Sequence, residues 1–253
     1  INLITGNEDA KRAVVNQWRM NKSSGTYLFY GKKGAYLKEF ALAFAKGINC
    51  NESVHDFCDK CRVCENINKE IYSDLHIISA SEGTVKIDQI RELIKIEKPD
   101  AIMLFTETSY EMGKKVFIIE DVNKLRKEAS NALLKIIEEP PKDTYFILLA
   151  NSLNILPTIK SRSLAIEIQK LTHEELGVEE SLYNFFLGDV KDIREFKSGA
   201  YTLSKESYKN TAIYMKEYLE TGEFLPKIRA YGALEDFILE KSRSEERRVG
   251  KEC

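Results

Sequence analysis

At 253 residues, 43% hydrophobic and 31% charged, the chain is large and apolar enough for one large or two modest domains with real cores. No apolar run approaches the roughly 20 residues that a membrane-spanning helix requires, and Ile1 to Asn7 lacks the basic and apolar zones of a signal peptide, so a soluble protein at a cytoplasmic address, with no membrane partner, is expected. Lys and Arg number 38 against 40 Asp and Glu, a net charge of −2, which leaves nucleic-acid contact to local basic arrays rather than to the field of the whole molecule.

In chain order, Asp9 to Met20 reads as a helix and Tyr27 to Tyr30 as a buried strand. The strand runs into Gly31-Lys32-Lys33-Gly34-Ala35-Tyr36-Leu37-Lys38, where a phosphate-binding loop would sit, and a helix follows over Lys38 to Ile48. Laid against G-x-x-x-x-G-K-[ST], Tyr36 fills the slot of the second glycine, Leu37 that of the lysine, and Lys38 that of the magnesium-binding hydroxyl. Tyr36 denies the close approach of a glycine backbone, Leu37 brings no charge to the β- and γ-phosphates, and Lys38 repels magnesium. Hydrolysis is therefore not expected. Lys32, Lys33 and Lys38 either attract an anion or belong to an ordinary strand-to-helix turn.

Next come Cys50, Cys58, Cys61 and Cys64, spaced C-x7-C-x2-C-x2-C in a polar window; the one other cysteine is Cys253. Two-residue gaps let neighbouring thiolates converge on one tetrahedral ion, and four sulfurs fill every position zinc offers, which points to a structural site stapling a polar loop. Buried free thiols or a pair of disulfides are the alternatives, and His55 is a possible substitute for one sulfur.

Leu75 to Ser79, Val116 to Ile119, Tyr145 to Ala150 and Ala165 to Ile168 read as further buried strands, with helices over Ile87 to Ile96 and over Asn123 to Glu139, where Pro140 and Pro141 stop the second. No structure is assigned to Glu97 to Lys114. Such alternation argues for a parallel α/β sheet with helices on both faces. The third strand ends in Glu120-Asp121, where a magnesium-holding aspartate and a water-orienting glutamate are expected but in the opposite order. The same pair also fits a helix N-terminus, with Asp121 accepting backbone N–H bonds and Glu120 solvated. Lys124, Arg126, Lys127 and Lys135 are either DNA-backbone contacts or a solvated helix face. From Thr172 onward the pattern turns helical, with apolar stripes at Leu182, Phe185 and Phe186, at Tyr208, Ile213, Tyr214, Met215 and Tyr218, and at Ile228, Tyr231, Leu234 and Phe237. Arg243 to Cys253, RSEERRVGKEC, is similar to the conceptual translation of a sequencing adapter, so the natural chain is expected to continue differently past Ser242.

Four segments together carry a resemblance: KIDQIR at Lys86 to Arg91, KVFII at Lys115 to Ile119, ASNALLKIIEEPP at Ala129 to Pro141, and LPTIKSRS at Leu156 to Ser163. In order and spacing they resemble the delta-prime family of bacterial DNA polymerase III clamp-loader subunits, over roughly Ile1 to Leu171 and including the four-cysteine module. The motor subunits of that machine, gamma and tau, share the cysteines and the EEPP helix but are expected to keep an intact phosphate loop.

The resemblance implies an α/β AAA+ domain over 1–170 with a degenerate nucleotide site (Gly31, Gly34, Leu37 and Lys38, with Glu120 and Asp121) and a four-cysteine zinc module over 50–64. It further implies a helical lid over 171–200 and the start of a helical collar over 201–242, with 243–253 as the adapter-like tail. A collar cut short is expected to leave the chain monomeric or aggregation-prone and poor at joining a loader. The implied function is a non-hydrolysing stator that counts as a polymerase component by membership of its complex. Its partners would be the gamma/tau motors and delta, and through them the sliding clamp and primer-template DNA. In this family the Ser-Arg-Cys motif supplies an arginine finger in trans. Here it reads Ser161-Arg162-Ser163, which keeps the arginine. An active AAA+ ATPase, a gamma/tau-like motor of the same complex that uses Lys38 or another lysine in place of the lost one, and a zinc-dependent nucleic-acid adaptor are the competing readings.

Overall fold

The computed structural model describes residues 4–20, 22–79 and 113–198, together with Ile213. The expected helix over Ile87 to Ile96, the Lys86 to Arg91 motif, most of Glu97 to Lys114, the stripes beyond residue 200 apart from Ile213, the collar segment and the adapter-like tail lie outside the described residues.

Helix α1 (Glu8–Arg19) leads into strand β1 (Gly25–Tyr30), helix α2 (Leu37–Asn49), helix α3 (Arg62–Asn68) and strand β2 (Leu75–Ile78). The described chain resumes with β3 (Lys115–Ile119), a 3₁₀ turn (Val122–Lys124), α4 (Lys127–Glu138), β4 (Thr144–Ala150), α5 (Pro157–Ser161) and β5 (Leu164–Glu167). Three short helices follow: α6 (His173–Leu176), α7 (Glu180–Phe185) and α8 (Val190–Lys197). The five strands form one sheet in the order β2-β3-β4-β1-β5, and every pairing is parallel. This is the expected α/β class.

Both faces of the sheet are covered, which is why its inner strands read as unbroken apolar runs; β3 and β4 are buried at every position. On one face Leu28, Phe117, Ile119, Phe146 and Leu148 pack with Ala129, Leu133 and Ile137 of α4. On the other, Tyr27, Phe29 and Tyr145 surround Phe44 of α2, with ring centroids 4.5, 6.2 and 6.0 Å from it. Ala10, Val14 and Trp18, four residues apart, form the buried stripe of α1. A Cβ at Gly47 would run into the Trp18 indole, so this glycine is what lets α1 and α2 approach.

Three local elements differ from expectation. The helix expected from Asn123 begins at Lys127. Asp121 takes a left-handed φ of 53°, and the Asn123 side chain bonds the Ser152 and Asn154 carbonyls and the Asn151 N–H, pulling the segment out of helix towards the loop after β4. Part of the cysteine window is helical rather than loop, because Val63, Cys64 and Ile67 share a face that buries. Finally, α5 has no counterpart among the expected elements, although Pro157 marks its first turn.

The described residues fall into two compact units, 4–32 with 36–169, and 33–35 with 170–198. In the second, Leu182, Phe186 and Ile193 form a small core. Thr172 and Glu175 form a reciprocal capping box on α6, and the Asp189 carboxylate accepts the Lys191 and Asp192 N–H groups to cap α8.

Candidate metal centre and the loop before α2

The four cysteine sulfurs converge. Cys50 hangs from the end of α2, Cys58 lies in the loop, and Cys61 and Cys64 open α3; their sulfurs all lie within 4.8 Å of one another. A zinc tetrahedron with bonds of about 2.3 Å has sulfur–sulfur edges of about 3.8 Å; the Cys50 and Cys61 sulfurs stand 4.0 Å apart. All four are free thiols, and His55 is not among the converging groups. Backbone N–H groups point at the sulfurs: Lys60 and Cys61 donate to Cys58, at 3.5 and 3.2 Å, and Cys64 donates to Cys61 at 3.5 Å. The Lys60 and Cys61 donors draw the Cys58 thiol down to about 7, whereas burial pushes Cys64 up. Four sulfurs held this close, with donors stabilising negative charge, fit a metal of the zinc type.

Bonds from Lys46 tie the module to α2. Lys46, almost wholly buried, donates to Asp59 at 2.6 Å and to Asn68 at 2.9 Å, and its ammonium lies 4.2 Å from the centre of the Phe57 ring. Burial would raise the Asp59 carboxyl, but the Lys46 and Asn68 bonds and the Lys46 charge win and hold it below the usual value. Asp59 also takes a left-handed φ of 59°, so the ion pair pins a strained turn between Cys58 and Cys61.

At the other end of α2 lie the residues that depart from the phosphate-loop pattern. Tyr36 and Leu37, in the glycine and lysine slots, are buried at 2% and 8% exposure: they serve the core. Gly34 keeps a left-handed φ of 87° that a side chain would strain. The Lys38 ammonium lies 2.8 Å from Glu70 and 3.4 Å from Glu120. Partial burial works against its charge, but the Glu70 bond and the charges of Glu120 and Glu70 outweigh it, and its pKa is raised. Glu120 is further bound by the Ser79 hydroxyl at 2.6 Å, and Asp121 by Lys124 at 3.0 Å and the Asn151 amide at 3.3 Å. Asp121 therefore does not act as a helix cap, and Glu120 is not merely solvated.

The basic residues weighed as DNA contacts do not share one helix face. Lys124 is in the 3₁₀ turn and paired with Asp121, Arg126 is extended, and Lys127 and Lys135 are on α4. Arg162 ends α5. Its guanidinium lies 2.6 Å from the Glu138 carboxylate at the end of α4 and donates to the Thr158 carbonyl at 3.3 Å. Ser163, in the place of the family cysteine, donates to the Ile159 carbonyl at 2.8 Å and so holds the turn. Lys46, Glu70, Ser79, Asn151 and Glu138 were missed as site residues, because each meets a partner distant in sequence and no local spacing announces it.

Residues 6–172 match the family model described as DNA polymerase III, delta subunit. A delta-prime subunit of DNA polymerase III from Bacillus subtilis is 33% identical over 161 residues, 63% of this chain and 46% of the relative. A gamma subunit from Buchnera aphidicola (subspecies Schizaphis graminum) is 31% identical over 213 residues, 83% of this chain and 53% of the relative. The chain thus spans about half the length of these relatives. Among solved structures, a gamma-subunit-related protein of Thermotoga maritima superposes with a TM-score of 0.45 at 18% identity, covering 90% of this chain and 76% of that one. No helix among the described residues is long and apolar enough to cross a membrane.

Proposed function

The chain belongs to the DNA polymerase III delta-subunit family, and on that premise we propose that it is a stator of the delta-prime kind: a clamp-loader subunit that turns over no ATP itself. The observation that carries this reading is Lys38. A motor subunit needs a hydroxyl and an acidic residue to hold magnesium on the nucleotide. Here a lysine stands in the hydroxyl's place with its ammonium on Glu120, while buried Leu37 replaces the phosphate-binding lysine. Lys38 is committed to two carboxylates, which argues against its serving as a substitute catalytic lysine.

The same reading gives Arg162 its role. A guanidinium at the end of a short helix offsets charge on the γ-phosphate of ATP held by an adjacent gamma or tau motor, while delta, the sliding clamp and primer-template DNA are engaged through the complex. Cys50, Cys58, Cys61 and Cys64 hold a structural zinc that leaves no coordination position for chemistry.

The test has two arms. The isolated protein should show no magnesium-dependent ATP turnover, and turnover there would end the stator reading. In a complex assembled with motor and delta subunits after a full-length collar is restored, Arg162→Ala should lower DNA-stimulated hydrolysis at the adjacent site by about 10³-fold, the scale of an arginine finger. Unchanged hydrolysis would remove the trans role.

A further inference from the structure

Arg162 is not idle in the single chain: its guanidinium is already paired with an anion, Glu138, at 2.6 Å. We propose that Glu138 is a stand-in for the partner's phosphate, holding Arg162 in cis until a more highly charged group, the terminal phosphate of a nucleoside triphosphate on a neighbouring subunit, takes its place. This rests on the trans role of Arg162 and adds to it a regulation and a ligand class.

Three features support the exchange. Glu138 is the last residue of α4, with Glu139 beside it, where the helix carbonyls disfavour negative charge; the carboxylate does nothing for its own helix, and Arg162 is the cation that relieves it. Neither member is locked away, since the side chains are 36% and 48% exposed, so the pair belongs to the weak class that a stronger anion displaces. The second contact of the guanidinium, to the Thr158 carbonyl of α5, does not involve Glu138. It keeps the side chain anchored while the carboxylate is exchanged. A phosphate bearing about two charges accepts the same N–H groups more strongly than a carboxylate bearing one, whereas a singly charged anion gains nothing over Glu138.

Glu138→Gln keeps the shape and an acceptor but removes the charge. In the assembled complex it should lower the KM for ATP at the adjacent site by about twofold to fivefold, the range an exposed ion pair supports, with kcat within about twofold of the parent. An unmoved KM, in a complex where Arg162→Ala still cripples turnover, would overturn the stand-in while leaving the finger intact. A fall in kcat would overturn it too, because Glu138 would then be orienting Arg162 for the reaction. If Arg162→Ala has no effect, the finger fails and the exchange with it. The cis pairing has its own readout on the full chain without partners: modification of Arg162 by phenylglyoxal, followed by mass spectrometry, should be about twofold faster or more in Glu138→Gln. An equal rate would show that the carboxylate does not restrain the guanidinium.

Discussion

At the C-terminal end of α2, Cys50 joins Cys58, Cys61 and Cys64 in a cluster whose sulfurs lie within 4.8 Å of one another, a set that fits a cation from outside the chain. At the N-terminal end of the same helix, Lys38 places its own ammonium against Glu70 and Glu120. One helix thus ends in a set of groups that could hold a cation and begins in a cation that the polypeptide supplies itself. The difference teaches how to read a motif that has drifted. A lost consensus residue says little until it is known what took its place: at Tyr36 and Leu37 it was the core, at Lys38 an internal counter-ion. Tyr36, Leu37 and Lys38 thus have partners inside the chain, whereas the four sulfurs converge as a set that could hold a metal ion.

Removing the metal should break the comparison most severely. Purified protein should carry one zinc per chain by elemental analysis, and Cys64→Ser, at the buried ligand, should abolish it and cost on the order of 5 kcal/mol or more in denaturant unfolding. Equal stability with and without metal would mean that the cysteines are ordinary core thiols. Second in size, Tyr36→Ala should destabilise by about 3–5 kcal/mol, as for a large core side chain, with no change in nucleotide binding. A small loss would mean that the loop had decayed without joining the core. Third, Lys46→Met should cost about 1–3 kcal/mol, because it strands Asp59 between two ligands, and it should speed zinc transfer to a chelator. Unchanged transfer would mean that the Lys46–Asp59 pair does not help to hold the metal.

The sheet was legible because burial on both faces forces β3 and β4 to be apolar at every position, and the cysteines because their spacing is local. The start of α4 was not. From Asn123 to Arg126 the apolar pattern permits a helix, and only the bonds from Asn123 to the loop after β4, 28 and more residues away, decide against it. The candidate sites divide the same way. Lys38 could be seen to repel magnesium, but that its ammonium would rest on Glu70, beyond the cysteine module, depends on how the module exits α3 in a left-handed turn, with φ of 58° at Glu70. Arg162 was found by its motif; Glu138 lay inside another motif and gave no sign that the two meet.

The smallest expected effect tests the internal cation itself. Lys38 is partly exposed, so its two ion pairs are screened, and Lys38→Met should cost no more than about 1 kcal/mol near neutral pH. The pH dependence is the sharper readout. Because the folded pKa is raised above the ordinary lysine value of 10.5, the folded protein holds this proton more tightly than the unfolded chain. The contribution is therefore complete below about pH 10 and declines as pH rises through the folded pKa, where both states lose the proton. The stability difference between the parent and Lys38→Met should accordingly be flat from pH 7 to about pH 10 and shrink above that, while other lysines and tyrosines that titrate there cancel in the comparison. Added magnesium should change neither protein, since the neutral methionine still leaves no hydroxyl ligand. Lys38→Ser supplies one, and a magnesium-dependent rise in stability confined to that variant would show that Glu120 retains its capacity for the ion and that the lysine alone excludes it. No response in the serine variant, together with a difference between parent and Lys38→Met that ignores alkaline pH, would reduce Lys38 to a surface charge and remove the contrast between the two ends of α2.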